Sequence, residues 1–168
     1  MDLDDFVISS RHEEKKEISA CGIYVDEEGD WYHEGNRITR PDILQLFYEN
    51  LSIAPDGRFV IEWKGNRCAL EAVDTPFVVS RVDRLQRNEQ NGGEAIALKF
   101  KNCDRQELLA PDTLEVGKEN VLYCRIGGRR FPARFSRPAY YQLAEWIRED
   151  IRSGRFFLEL NGVKYVIH

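Results

Sequence analysis

Arg37-Ile38-Thr39-Arg40-Pro41-Asp42-Ile43-Leu44-Gln45-Leu46 and Arg134-Phe135-Ser136-Arg137-Pro138-Ala139-Tyr140-Tyr141-Gln142-Leu143 lie 97 residues apart and read as two copies of one folding unit. Carried onward without a gap, that offset also matches Gly57-Arg58-Phe59 to Gly154-Arg155-Phe156, Glu62 to Glu159 and Gly65 to Gly162. Ten identities fall between positions 37 and 68, where ordinary residue frequencies would supply about two. Glycine and proline recur at element ends in many proteins. Arginine, glutamine, leucine and glutamate matching in one register do not follow from turn chemistry, so the chain reads as a duplication. The repeated unit is a strand, a helix, a turn and a hairpin. The first helix is predicted to start at Thr39 as N-cap, with Pro41 in its first turn and Ile43, Leu46, Phe47 and Leu51 on its apolar stripe. The second is predicted to start at Ser136 and to run to Ser153-Gly154, with Tyr140, Leu143, Ala144, Ile147 and Ile151 as its stripe.

Around these helices, turn signals cut the chain into short strands. Lys64-Gly65-Asn66, Asn91-Gly92-Gly93, Gly127-Gly128 and Asn161-Gly162 each separate two apolar stretches. Such links tolerate positive φ and favour tight hairpins, hence antiparallel sheet over crossover connections. The expected fold class is α+β, with two repeated lobes, each an antiparallel sheet with one helix. The expected divisions are a polar segment 1–17, a first repeat 18–75 and a second repeat 76–168.

Composition bounds the function. The 168 residues are 42% hydrophobic and 11% aromatic, enough for a substantial core and too apolar for wholesale disorder. No apolar run approaches the roughly 20 residues that a membrane-spanning helix needs. The start, Met1-Asp2-Leu3-Asp4-Asp5, is acidic where a secretory leader would be basic and then apolar. The net charge of −5 disfavours DNA as a partner. Cys21, Cys68, Cys103 and Cys124 are scattered without a C-x-x-C pair, so reduced, buried thiols in the cytoplasm are expected. Three histidines and no paired Cys/His spacing leave no metal site to name. Charge is uneven. Residues 1–120 carry 15 basic and 25 acidic side chains, whereas 121–168 carry nine and four. Arg125, Arg129, Arg130, Arg134 and Arg137 follow one another with no acid among them. Guanidinium forks bind phosphate and carboxylate in a bidentate manner, so this stretch is a candidate anion site; a solvated strand face is the plainer reading.

Gly29-Asp30-Trp31-Tyr32-His33-Glu34-Gly35, Ile38-x-Arg40 and Leu46-Phe47 resemble the D-G-x-W-x-H/Y-x-G-x-x-I-x-R…L-F signature of the bacterial domain-of-unknown-function family 1285. Asp74-Thr75-Pro76-Phe77-Val78 resembles its E-D-A-P-F-V segment, and Arg134 to Leu143 its A-R-I-x-R-P-V-x-Y-x-L segment. Where the family carries Thr-Asn this chain has Lys101-Asn102, and Val73 stands where the family usually has Glu. The resemblance implies a duplicated core, a second lobe similar to pleckstrin-homology-like folds, a nucleotide-based ligand where the lobes meet, and a signalling role.

A nucleotide needs cations for phosphate, a flat apolar face for the base and polar groups for the sugar and base edge. Arg125, Arg134, Arg137 and Arg40 are the candidate cations; the last two open equivalent helices, where free N–H groups and the dipole also favour anions. For Arg40 the plainer alternative is an ion pair with Asp42. Trp31 and Phe77 are candidate stacking faces, and His33, Asp74 and Asn102 candidate hydrogen-bonding groups. A core role for Trp31, a structural one for His33 and a turn role for Asp74 are the competing readings. No phosphate-cradling glycine loop and no nucleophile elbow occurs, so no catalytic residue and no cofactor is assigned. The expectation is a small-ligand-binding or signalling module for an anionic, nucleotide-like ligand. The rival is a protein–protein interaction adaptor with no small-molecule ligand.

Overall fold

Alternation writes the first strand. In β1 (Ser19–Val25), Cys21, Ile23 and Val25 point inward while Ala20 and Tyr24 are exposed. The computed structural model describes residues 18–86, 88, 90 and 92–168; the expected polar segment 1–17 lies outside them. The described residues form two units. The first runs to Pro76 and takes back Asn102–Asp104; the second holds Phe77–Lys101 and Arg105–His168.

In the first unit β1 is followed by β2 (Trp31–His33), β3 (Asn36–Arg37), α1 (Pro41–Glu49), β4 (Leu51–Ile53), β5 (Phe59–Trp63) and β6 (Asn66–Ala72). The sheet order is β3-β2-β1-β6-β5-β4. Every pairing is antiparallel except β1 with β6, which is parallel. Helix α1 buries Ile43, Leu44, Phe47 and Tyr48. Phe47 stacks on Trp31, with ring centroids 5.3 Å apart. Side chains of this size contribute about 1.5–3 kcal/mol each when fully buried. The helix begins one residue later than the sequence implies: Arg40 occupies the N-cap and no side chain caps the helix there.

The second unit runs β7 (Val78–Gln86), β8 (Glu94–Phe100), β9 (Gln106–Leu108), β10 (Glu115–Val116), β11 (Leu122–Ile126), β12 (Phe131–Phe135), α2 (Arg137–Ala144), β13 (Ile147–Asp150), β14 (Arg155–Leu160) and β15 (Val163–Val166). Six strands form the sheet β10-β11-β12-β7-β8-β9, in which only β12 with β7 is parallel. A separate antiparallel sheet has the order β13-β14-β15. Ser136 caps α2, its hydroxyl accepting from Ala139 N at 3.3 Å.

The duplication is visible in the backbone. The β5–β6 hairpin pairs Val60 with Ala69, Ile61 with Cys68 and Glu62 with Arg67. The β14–β15 hairpin pairs Phe157 with Val166, Leu158 with Tyr165 and Glu159 with Lys164, the same register 97 residues on. Both hairpins turn through two residues of positive φ, Lys64-Gly65 at 46° and 79° and Asn161-Gly162 at 53° and 75°. The glycine at the second turn position supplies the left-handed conformation that a two-residue hairpin demands. The helix glutamines also correspond. Gln45 accepts from Cys103 Sγ at 3.5 Å, and Gln142 accepts from Val82 N at 3.0 Å, just past the β7–β8 register shift between Val79 and Arg81. The copies then diverge. In the first unit β6 joins the main sheet beside β1, whereas β14–β15 stays in its own sheet. That hairpin is pinned instead by Asn161, whose amide accepts from Glu94 N at 2.6 Å and donates to Glu94 O at 2.8 Å. Gly93 must lack a side chain for this, since a Cβ there would lie 2.2 Å from Asn161 Oδ1.

Three expectations are corrected. The sheets are not wholly antiparallel: each six-stranded sheet holds one parallel pair between strands distant in sequence, which short turns cannot reveal. The second helix stops at Ala144, and Ile147 to Asp150 form β13 against β14, so Ile147 and Ile151 are not part of a helical stripe. Their spacing from Leu143 fits a helix by count alone. Finally, Cys21 and Cys68 are joined as a disulfide, their Cα atoms 4.9 Å apart, because the parallel β1–β6 pairing puts residues 47 apart side by side. Cys103 and Cys124 are buried and outside any disulfide, as expected.

Candidate functional site

Two polar constellations stand out, one in each unit. The first grows from the turn between β1 and β2. The Asp26 carboxylate accepts from Glu28 N at 3.0 Å and Asp30 N at 2.9 Å, which fixes the chain direction into β2. Asp30 is thereby carried inward, where it is 8% exposed. Its Oδ1 accepts from Arg37 Nη2 and from Asn102 Nδ2, each at 2.8 Å. Tyr32 donates to Asp26 Oδ2 at 3.4 Å. Its phenol is pushed above the usual tyrosine range, chiefly by desolvation and then by the Asp26 and Asp30 charges. A buried carboxylate is costly unless charge-paired and hydrogen-bonded, and Arg37 and Asn102 meet that need. The arrangement binds 102–104 into the first unit; with a cation and an amide already on Asp30, it serves as a structural tie.

Trp31, next in sequence, is 1% exposed and donates from Nε1 to Pro76 O at 2.8 Å. It is a core residue, with no face open for a base. Phe77 is likewise buried and meets Phe100 edge-on at 6.2 Å. His33 is half-buried on β2, its ring beside Gly22. Asp74 is half-buried in the bend between β6 and β7. Arg40 takes the plainer alternative: its guanidinium binds the Asp42 carboxylate through two nitrogens. That pair holds the Asp42 carboxyl below the usual range.

The second constellation is the outer face of β11 and β12. Leu122, Cys124 and Ile126 on one strand and Phe131, Ala133 and Phe135 on the other are buried. The register pairs Tyr123 with Arg134 and Arg125 with Pro132, so Arg125 and Arg134 share the opposite face as diagonal neighbours. Diagonal positions lie about 7–8 Å apart, within reach of one phosphate-bearing ligand. Arg137 opens α2 two residues beyond the end of β12 and is exposed. Its counterpart Arg40 is neutralised by Asp42, but Ala139 stands where that aspartate would be. Arg125 and Arg137 make no ion pair among the described residues. Arg129, by contrast, is committed to Asp112, and Arg130 to Gly127 O and the face of Phe131. The structure therefore divides the sequence candidates: Arg40, Trp31, His33, Asp74 and Asn102 belong to the first unit, and Phe77, Arg125, Arg134 and Arg137 to the second.

Asp26, Asp30 and Arg37 were not among the residues expected at a site. Their signal is the D-x-x-x-D spacing across a glycine turn, which can direct one carboxylate to the turn and the next inward. Among the described residues no group of three or more His, Cys, Asp or Glu is placed to hold a metal, and no helix is long and apolar enough to cross a membrane.

No protein-family model and no curated protein matches the chain. Solved structures do. A DUF1285 family protein from Silicibacter pomeroyi DSS-3 is 17% identical, with a TM-score of 0.67 over 94% of this chain and 91% of that one. A DUF1285 family protein from Shewanella baltica OS155 is 13% identical, with a TM-score of 0.57 over 73% of this chain and 90% of that one. The fold described above is shared with both.

Proposed function

We propose that the chain is a member of the DUF1285 family and works as a binding module, taking an anionic, phosphate-bearing ligand on the guanidinium face of the second unit. Membership draws on the shared fold together with the Gly29–Gly35 and Arg134–Leu143 segments that carry the family signature. The observation that carries the ligand reading is the contrast between copies. Arg40 is neutralised by its own Asp42, whereas Arg137 is exposed and makes no ion pair among the described residues, with Arg125 and Arg134 on the strand face that leads to it. Guanidinium groups so disposed grip phosphate oxygens bidentately, and the first turn of α2 adds free N–H groups. A nucleotide fits this chemistry through its phosphates. Its base would stack on the exposed Tyr140 or Tyr141 of α2, since Trp31 and Phe77 are buried. A signalling role follows if the ligand is a nucleotide messenger.

The test is a thermal-shift screen of nucleotides and dinucleotides on the full chain. A true ligand at a hundredfold excess over its Kd stabilises by about 2.7 kcal/mol. Arg125→Ala with Arg137→Ala should abolish the shift while leaving the ligand-free melting temperature in place. If no nucleotide shifts the melting, or the double variant responds like the parent, the ligand reading fails and the interaction adaptor takes its place.

A further inference from the structure

The duplication supplies an internal comparison at the turn leading into β5 and its counterpart leading into β14. In the first copy this turn is Ala54-Pro55-Asp56-Gly57-Arg58. Ala54 is 3% exposed. Asp56 accepts from Arg58 N at 3.0 Å and from Arg58 Nε at 2.8 Å, so the turn neutralises its own arginine. The same five positions of the second copy are Ile151-Arg152-Ser153-Gly154-Arg155. The buried alanine has become an isoleucine that is 94% exposed, the proline an arginine, and the neutralising aspartate a serine. Arg152 and Arg155 make no ion pair among the described residues.

This tip is built rather than loose. Asp150 accepts from Arg152 N at 3.0 Å and from Ser153 Oγ at 3.0 Å, and its carbonyl accepts from Gly154 N at 2.7 Å. Asp150 is thus engaged within the turn, and its backbone bonds hold the carboxyl below the usual range. Phe156, the first residue of β14 after Arg155, is 53% exposed and lies across from Glu149. Along 148–156 the charged groups are Arg148, Arg152 and Arg155 against Glu149 and the engaged Asp150, and the Lys164 charge acts on Asp150 from β15. The tip is therefore a protruding apolar pair in a cationic surround.

The geometry points to the 150–156 turn as a docking tip for an anionic lipid surface, with Ile151 and Phe156 entering the interfacial layer and Arg152 and Arg155 meeting lipid phosphates. An isoleucine left almost wholly to water at a convex tip has no groove walls, so it suits a deformable apolar layer better than a peptide ligand. Strand addition is also opposed, because the neighbouring edge strand β13 presents Arg148, Glu149 and Asp150. Arginines beside an inserted apolar side chain keep their charged heads at the phosphate level while their stems lie along the acyl boundary. Each contributes through the negative surface potential of the leaflet, an attraction that salt screens. This tip shares no residue with the Arg125, Arg134 and Arg137 face, so the two readings fail independently.

The experiment is sedimentation of the full chain with vesicles of phosphatidylcholine alone and of phosphatidylcholine mixed equally with phosphatidylglycerol. The chain should pellet with the anionic vesicles only, and added salt should release it. Ile151→Asp should weaken the apparent affinity at least about tenfold, and Arg152→Ala or Arg155→Ala about fivefold each. Arg58→Ala, at the counterpart of Arg155 that Asp56 neutralises, should leave it unchanged, and all variants should melt like the parent because these side chains are exposed. Absence of pelleting with anionic vesicles, pelleting indifferent to both Ile151→Asp and Arg152→Ala, or Ile151-dependent capture of a glutamate-rich peptide in place of vesicles would each overturn the proposal.

Discussion

Opening the Cys21–Cys68 bond should loosen the first unit by a predictable amount. The bridge closes a loop between residues 47 apart in sequence, joining β1 to the β5–β6 hairpin through a parallel pairing whose register shifts between Ala20 and Tyr24. In the chain-entropy account, freeing such a loop returns roughly 14 cal/mol/K to the unfolded chain, about 4 kcal/mol at 25 °C. That is a large share of the 5–15 kcal/mol that typically separates folded from unfolded protein. For a chain of this size it corresponds to a fall in melting temperature of roughly 10 °C. The perturbation is the double variant Cys21→Ala/Cys68→Ala, beside reduction of the parent by a dithiol. Both sulfurs are buried, so reductant should act slowly on the folded protein and quickly in urea. Thermal and urea melts followed by circular dichroism give the stability, and thiol counting confirms the redox state. A fully reduced parent, or a double variant, that melts within a degree or two of the oxidised protein would refute the reasoning.

The remaining predictions concern the polar tie, the cap and pH. Asp30→Ala should cost about 2–3 kcal/mol in urea melts, because it removes the acceptor of both Arg37 and Asn102; a loss under about 0.5 kcal/mol would show that the tie carries no weight. Ser136→Ala should cost about 1 kcal/mol through the lost cap of α2, whereas Thr39→Ala should cost little, since Thr39 caps nothing in α1; equal effects would contradict the capping assignment. The carboxyls of Asp42, Asp56, Glu94, Asp112 and Asp150 are all held below their ordinary values, the first and third to fifth by side-chain or backbone partners around them and Asp56 first by Arg58 N. Their stabilisation is present above the ordinary carboxylate range and is lost as pH falls through the lowered values. Melting temperature should therefore hold above about pH 5 and decline below about pH 4, and a flat acid limb would contradict these pairings.

The elements legible in the sequence were those governed by neighbours. Lys64-Gly65 and Asn161-Gly162 specify two-residue turns through φ alone, and Ser136 with Pro138 specifies a helix start. The repeat carried more than its own residues, since identical hairpin registers follow from matching turns. Arrangements between distant residues were illegible. Nothing local in Ser19–Val25 says that it will lie parallel to Asn66–Ala72, so the pairing of Cys21 with Cys68 was hidden with it. The end of α2 is not legible locally, because Leu143, Ile147 and Ile151 keep helical spacing while Ile147 to Asp150 are held by cross-strand bonds to β14. At the candidate site, charge type was readable and burial was not. The arginine run announced its chemistry, yet only the register shows that Arg125 and Arg134 share a face while Arg129 is taken by Asp112. Trp31 illustrates the converse, an aromatic whose role depends on Phe47 and Pro76 arriving from elsewhere in the chain.

The Asn161 amide bonded to both main-chain groups of Glu94 gives the terminal hairpin a clasp at its tip. His168, whose N donates to Leu114 O and whose O accepts from Val116 N, fastens its far end. A ribbon secured at both ends cannot peel open from one side; it must release as a whole. Pulled mechanically, the second unit should yield in a single abrupt step rather than unzipping strand by strand, and the Glu94 amide should keep its proton until that step occurs.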